Sequence, residues 1–282
     1  MRWQNREQSS NVEDRRGRTI KRVGGGIGIG AILMAVFALI MGENPLNVLQ
    51  QVTNQQTEEV ATGTNKQDEV LTQFVGVVLK ETESVWSKVF REQLNEQYIE
   101  PKLVLYSGED NTGCGYAQST TGPFYCPADQ RVYIDLSFYE ELQSRFKAPG
   151  DFAMAYIIAH EVGHHVQNLL GITTEVENQR RRLSEADGNK LSVALELQAD
   201  FLAGIWAHYT QKMENLLEKG DLEEALNAAS SVGDDRIQME ARGYVVPDAF
   251  THGTSAQRMF WFKKGYETGD INQGDTFKAL GL

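Results

Sequence analysis

The segment that most constrains this chain is AMAYIIAHEVGHHVQNLLG, in which His160, Glu161 and His164 spell H-E-x-x-H. On a helix, residues four apart lie about 40° apart around the axis, so both imidazoles project together and can bind one cation. Ala155, Ile158, Val162, Val166 and Leu169 fall on the opposite face. The segment therefore reads as a helix with an apolar back for a core and a polar front for a site. Pro149 and Gly150 break the chain before it, Asp151 is placed to cap it and Gly171 to end it. Glu161 stands beside the first ligand, where a carboxylate can act as general base on a metal-activated water.

Two histidines do not hold a catalytic zinc alone; such sites have three protein ligands and an open position for water. Glu196, Asp200, His208 and His252 are the candidates for the third. Glu196 is favoured. It lies in LELQADFLAG on a helix expected over about 185–218, four residues before Asp200, so the two carboxylates share a face. One can bind metal while the other accepts a hydrogen bond from a ligating imidazole. Ala199, Ala203 and Ala207 on or near that face allow a close approach, and Leu195, Leu197, Phe201 and Leu202 indicate a buried helix. His208 and Tyr209 are rivals for an oxyanion role but turn away from the Glu196 face. His165 reads as a flanking or surface residue.

The rest of the domain is predicted to be α+β and mainly α. From Leu71 to Phe90 apolar residues recur at three- and four-residue steps, the pattern of a long amphipathic helix. LVLY at 103–106 and RVYIDL at 131–136 read as short strands, with Tyr133 alternating as in a half-exposed one. Asp221 with Glu224, and Thr254 with Gln257, resemble capping boxes opening two further helices. Between the strands, Cys114 and Cys126 are expected to pair if the chain is exported.

The formal charge of the 282 residues is −12, but residues 1–22 hold seven Lys or Arg against three acids, a net +4, which leaves −16 for the remainder. The part large enough to fold would repel phosphates, so nucleic acid is excluded as a partner. Residues 23–42, VGGGIGIGAILMAVFALIMG, carry no charge and are long enough to span a bilayer as a helix. Arg15, Arg16, Arg18, Lys21 and Arg22 precede this stretch and Glu43 follows it. The expectation is a single-pass membrane anchor, with 1–22 a basic cytoplasmic segment and the domain on the other side. Two G-x-x-x-G pairs, Gly24 with Gly28 and Gly26 with Gly30, would let two anchors pack as a homodimer. Residues 43–68, polar and nearly free of aromatics, read as a linker to a domain at 69–282.

HEVGHHVQ followed by LELQAD resembles the gluzincins, and with GPFYCPADQRVYID, HGTSAQR and the N-terminal apolar stretch the chain resembles the bacterial neutral zinc metallopeptidases over about residues 1–282. The resemblance implies a zincin-like domain, an active-site helix beside a small sheet whose edge strand pairs with an extended peptide. It also implies roles for His252 and Arg258: the His as oxyanion donor, the Arg holding the arrangement together.

The expected function is zinc-dependent hydrolysis of peptide bonds, with Zn²⁺ on His160, His164 and Glu196, Glu161 as base, and a peptide laid along Val132 to Leu136. A non-catalytic zinc- and peptide-binding protein with a closed four-ligand site is one alternative. A zinc hydrolase acting on a non-peptide amide is another.

Overall fold

A computed structural model describes residues 1–17 and 66–282. The apolar stretch 23–42, its glycine pairs and residues 43–65 of the expected linker lie outside the described residues. Among the described residues, no helix is long and apolar enough to cross a membrane.

Met1–Arg16 and Lys66–Leu282 form one compact unit. The first sixteen residues are therefore not a segment apart from the domain, as the reading of 1–22 supposed. They contribute strand β1 (Val12–Asp14), which pairs in parallel with β2 (Lys102–Tyr106) in the register Val12 to Leu103. The arm also supplies partners for acids buried on helix α1 (Lys66–Val89), which starts inside the expected linker. Arg6 Nη1 donates to Glu81 Oε1 at 2.8 Å, and Glu83 accepts from Ser9 Oγ and from Asn11 Nδ2. Trp3 packs edge-on against Phe74. Two buried carboxylates would be costly without these donors.

A two-stranded hairpin, β3 (Glu109–Thr112) and β4 (Gly115–Gln118), follows β2; then come β5 (Phe124–Cys126) and β6 (Arg131–Asp135). The main sheet runs β1-β2-β6-β5, parallel except for β5, which is antiparallel at the edge. Two expectations change here. Tyr133 is not half exposed: it and its neighbours Val132 and Ile134 are buried, because β6 lies inside the sheet with a core on each face. For the same reason β6 has no free edge on which a peptide could pair; the strand with one open side beside the site is β5. Cys114 and Cys126 are joined, tying β5 to the hairpin.

Helices complete the unit: α2 (Phe138–Ser144), α3 (Asp151–Leu169), α4 (Ile172–Arg180), α5 (Glu185–Glu214), α6 (Asp221–Ser231), α7 (Asp234–Arg242), α8 (Ser255–Thr268) and α9 (Thr276–Ala279). The Thr254 and Gln257 capping box forms in full before α8. The other caps differ from expectation. Asp151 does not cap α3; Glu224, on the first turn of α6, accepts from Phe152 N at 3.1 Å instead. Nor does Asp221 cap α6, whose N-cap is Gly220; Asp221 is buried and accepts from Glu218 N.

Close helix contacts place the site. A Cβ on Gly163, the fourth residue of the H-E-x-x-H motif, would meet the Ala199 carbonyl oxygen of α5 at 3.0 Å. A Cβ on Gly204 would lie 2.0 Å from Phe262 O, and one on Gly265 2.0 Å from Phe201 O. Backbone thus touches backbone where α5 crosses α8, so no side chain is tolerated at either glycine. Wedged between α5, the sheet and α6, α3 is buried on nearly every side, its polar front included.

Candidate metal centre

His160 and His164 sit one turn apart on α3 and meet Glu196 of α5. His160 Nε2 lies 3.1 Å from Glu196 Oε2, and His164 Nε2 lies 3.4 Å from Glu196 Oε1. Ligands bound tetrahedrally at zinc distances stand about 3.4 Å from one another. One donor atom from each of the three residues falls within a common 4.8 Å span.

The far side of each ring shows which nitrogen is offered. His160 Nδ1 lies 2.8 Å from Asp200 Oδ1, a carboxylate with no proton to give, so Nδ1 carries the hydrogen and Nε2 keeps its lone pair. His164 Nδ1 lies 2.8 Å from Gln167 Oε1. The Gln167 amide is oriented because its Nε2 donates to Leu195 O at 2.7 Å, which turns Oε1 to His164. Both Nε2 lone pairs therefore converge on the Glu196 carboxylate, and the residues present fit a tetrahedral cation with one position left over.

Charge is balanced in layers behind this set. Arg258 is buried and donates to Asp200 through both Nε and Nη2, at 2.8 and 2.9 Å, and through Nη1 to Val232 O. Tyr156 donates to Asp200 Oδ1 at 2.5 Å. Burial works to raise the Asp200 pKa, but Arg258 and His160 outweigh it and hold the group below its ordinary value. Burial likewise opposes ionisation of Glu196, and the two histidines overcome it, keeping its pKa well below the usual carboxylate range. Burial favours the neutral His160 ring, but with no cation between them Asp200 and Glu196 push its pKa up to about 10, so binding a metal displaces a proton from Nε2. Glu161 is shifted upward, chiefly by burial, with His160 and His164 pulling the other way.

Glu161 opens on the same cavity as the three donors. Its volume is ≈ 500 Å³, and its walls come from β5 and the turn before it, from α3 and α5, and from Val232, Ile237, His252 and Arg258. His252 stands at the rim with its side chain half exposed, and its Nδ1 lies 3.4 Å from Asp234 Oδ1. The backbone N–H groups of Thr251, His252 and Gly253 all donate to Asp234 Oδ2, which sets the loop in place. Of the remaining candidates, His208 is tied to Tyr266 O and Tyr209 accepts from Gln93, both away from the cavity.

The family model described as "Putative neutral zinc metallopeptidase" matches residues 1–277. The chain belongs to this family. It is 47% identical to the Escherichia coli K12 protein named "Uncharacterized protein YpfJ", over 98% of this chain and 99% of that one. It is 39% identical to "Uncharacterized protein Mb2605" of Mycobacterium bovis, over 87% of this chain and 86% of the relative. "Uncharacterized protein Rv2575" of Mycobacterium tuberculosis aligns to the same extent. No solved structure matches.

Several residues of this family member's site were not read from its sequence. Gln167 follows His164 by three residues, the spacing of one helix face, and that signal was available. Tyr156 precedes His160 by four residues and offered the same signal, whereas Asp234 carried none, since it reaches the site only through the packing of α7 against α8. His165 is fully buried rather than flanking or on the surface, with Nε2 2.7 Å from Ile99 O. Burial lowers its pKa.

Proposed function

We propose that this chain is a zinc peptidase in which His160, His164 and Glu196 hold the metal and Glu161 moves the proton. The observation that carries the reading is the placement of Glu161, a buried carboxylate of raised pKa, in one cavity with three metal donors. A purely structural zinc site has no use for such a base and has four protein ligands. Here the obvious fourth, Asp200, is turned to His160 Nδ1 and Arg258.

A bound zinc supplies a Lewis acid and a water of lowered pKa. Glu161 takes a proton from the attacking water and returns it to the leaving amine, work suited to a carboxylate shifted upward by burial. His252, held by Asp234 at the cavity rim, donates to the oxyanion that develops on the peptide carbonyl. The open side of β5 takes the substrate as an extended strand, so backbone hydrogen bonds rather than sequence provide much of the binding. Membrane association through residues 23–42, on the one side that the arm and the domain share, and pairing of copies through Gly24, Gly26, Gly28 and Gly30, belong to this proposal; the apolar stretch and its glycines are read from the sequence alone.

The test is the Glu161→Gln variant of the full chain, assayed on a mixed peptide pool beside metal analysis. It should keep zinc at the parent's stoichiometry and lose roughly 10²-fold or more in turnover. A zinc-replete variant that cleaves as fast as the parent would remove the mechanism.

A further inference from the structure

Directly after the ligand His164, the chain buries a second imidazole for which the metal centre has no use. His165 is fully buried, packed edge-on against Tyr98 and Tyr125 with ring centroids at 5.8 and 5.4 Å. Its Nε2 faces the Ile99 carbonyl at 2.7 Å, and a carbonyl has no proton to give, so Nε2 is the protonated nitrogen. Nδ1 is then a bare acceptor, and it lies 3.0 Å from the Tyr125 hydroxyl. The tyrosine oxygen in turn accepts from Asn168 Nδ2 at 3.1 Å. Every proton in the chain of contacts has one allowed direction. The network spans Asn168 and His165 on α3, Tyr125 on β5, and Ile99 in the segment entering β2.

Tyr125 is also a wall of the catalytic cavity, and its main-chain N–H favours the charged form of Glu161. β5 itself is only three residues long, bonded to β6 on one side and, among the described residues, open on the other. Such an edge has little of its own to hold it at a fixed height above α3.

We propose that His165, Tyr125 and Asn168 form a latch that fixes the edge strand β5 against the metal helix, making His165 and Tyr125 positioning residues for the peptide. This rests on the peptidase reading for the role of β5, while the latch itself does not. The latch acts on substrate binding: α3 presents the metal donors whether or not β5 is held, but an extended chain paired with β5 lies across Glu161 only if the strand keeps its place.

The experiment uses the full chain carrying Tyr125→Phe, with His165→Leu and His165→Asn beside it. The asparagine can still offer an oxygen near the place of Nδ1, whereas leucine offers none. Backbone hydrogen exchange over residues 121–127, zinc content, and KM and kcat on a cleaved peptide are measured. For Tyr125→Phe and His165→Leu, exchange over this segment should quicken and KM rise by about tenfold, the effect of one lost hydrogen bond. Zinc content should stay near the parent's, and His165→Asn should fall between. Unchanged exchange in Tyr125→Phe overturns the latch. Faster exchange with an unchanged KM overturns its role in placing the peptide, as does a loss confined to zinc content. If the parent cleaves no peptide, the peptidase reading fails, and exchange alone decides the latch.

Discussion

Asp200 Oδ1 sits 2.8 Å from His160 Nδ1 while the same carboxylate receives two hydrogen bonds from Arg258, so a buried ion pair stands directly behind an imidazole of the candidate metal centre. Three helices meet in that arrangement, with His160 on α3, Asp200 on α5 and Arg258 on α8.

Replacing Asp200 by Asn should therefore do two things. Zinc affinity should fall by about 10–100-fold, because the carboxylate no longer fixes the His160 tautomer. Stability should fall by about 3–5 kcal/mol, because Arg258 is left as a buried charge without its counter-ion. A chelator competition and a denaturant titration check both, and an unchanged zinc affinity would show that the ring is oriented by something else.

Glu196→Ala removes one of three donors. Metal analysis after dialysis against a weak chelator should find the variant largely empty while Glu161→Gln stays loaded. Equal zinc retention in the two variants would exclude Glu196 from the ligand set.

The His252 and Asp234 pair gives a pH dependence whose sign follows from the shifts. The hydrogen bond to Asp234 raises the His252 pKa above 6.5, so the donor persists past that pH and is lost as the pH climbs through the raised value. Asp234, lowered mainly by His252 and the loop N–H groups against the effect of burial, stays ionised across that range. The pair's contribution to stability follows the same course, complete near pH 6 and lost toward alkaline pH. The alkaline limb of kcat/KM should move to lower pH in Asp234→Asn and vanish in His252→Gln. A limb that stays put in both variants would assign it to another group.

The N-terminal arm makes a topological prediction that departs from the orientation implied by the basic residues. Arg15 is paired with Glu13 and Asp110, Arg16 with Asp14, and β1 is bonded to β2. An arm built into the domain's sheet must share the domain's side of any membrane. Single cysteines at Ser10 and Ser144, both exposed, should react with the same impermeant thiol reagent in sealed vesicles. Labelling from opposite sides would mean that β1 is not paired with β2 in the membrane-bound chain.

Helix periodicity made α1, α3 and α5 legible, because an amphipathic stripe repeats within one segment. The Thr254 cap was legible for the same reason: donor and acceptor lie three residues apart. Glu224 could not be read as the residue that caps α3, since Phe152 is 72 residues away in sequence. Likewise β1 and β5 are three residues each, too short for alternation to register, and they exist because β2 and β6 offer them a ladder.

The two histidines and the glutamate of H-E-x-x-H were determined by sequence alone, because helical geometry places residues four apart on one side whatever surrounds them. Glu196 and Asp200 were legible as a pair sharing a face, but it takes the packing of α3 on α5, close enough for Gly163 to meet Ala199, to bring that face to the two histidines. The tautomer of each ligand, the open edge beside the site, the buried His165 and the seat of the N-terminal arm were decided by tertiary structure. Each depends on atoms far apart in the chain, whose meeting is set by how whole helices and strands pack.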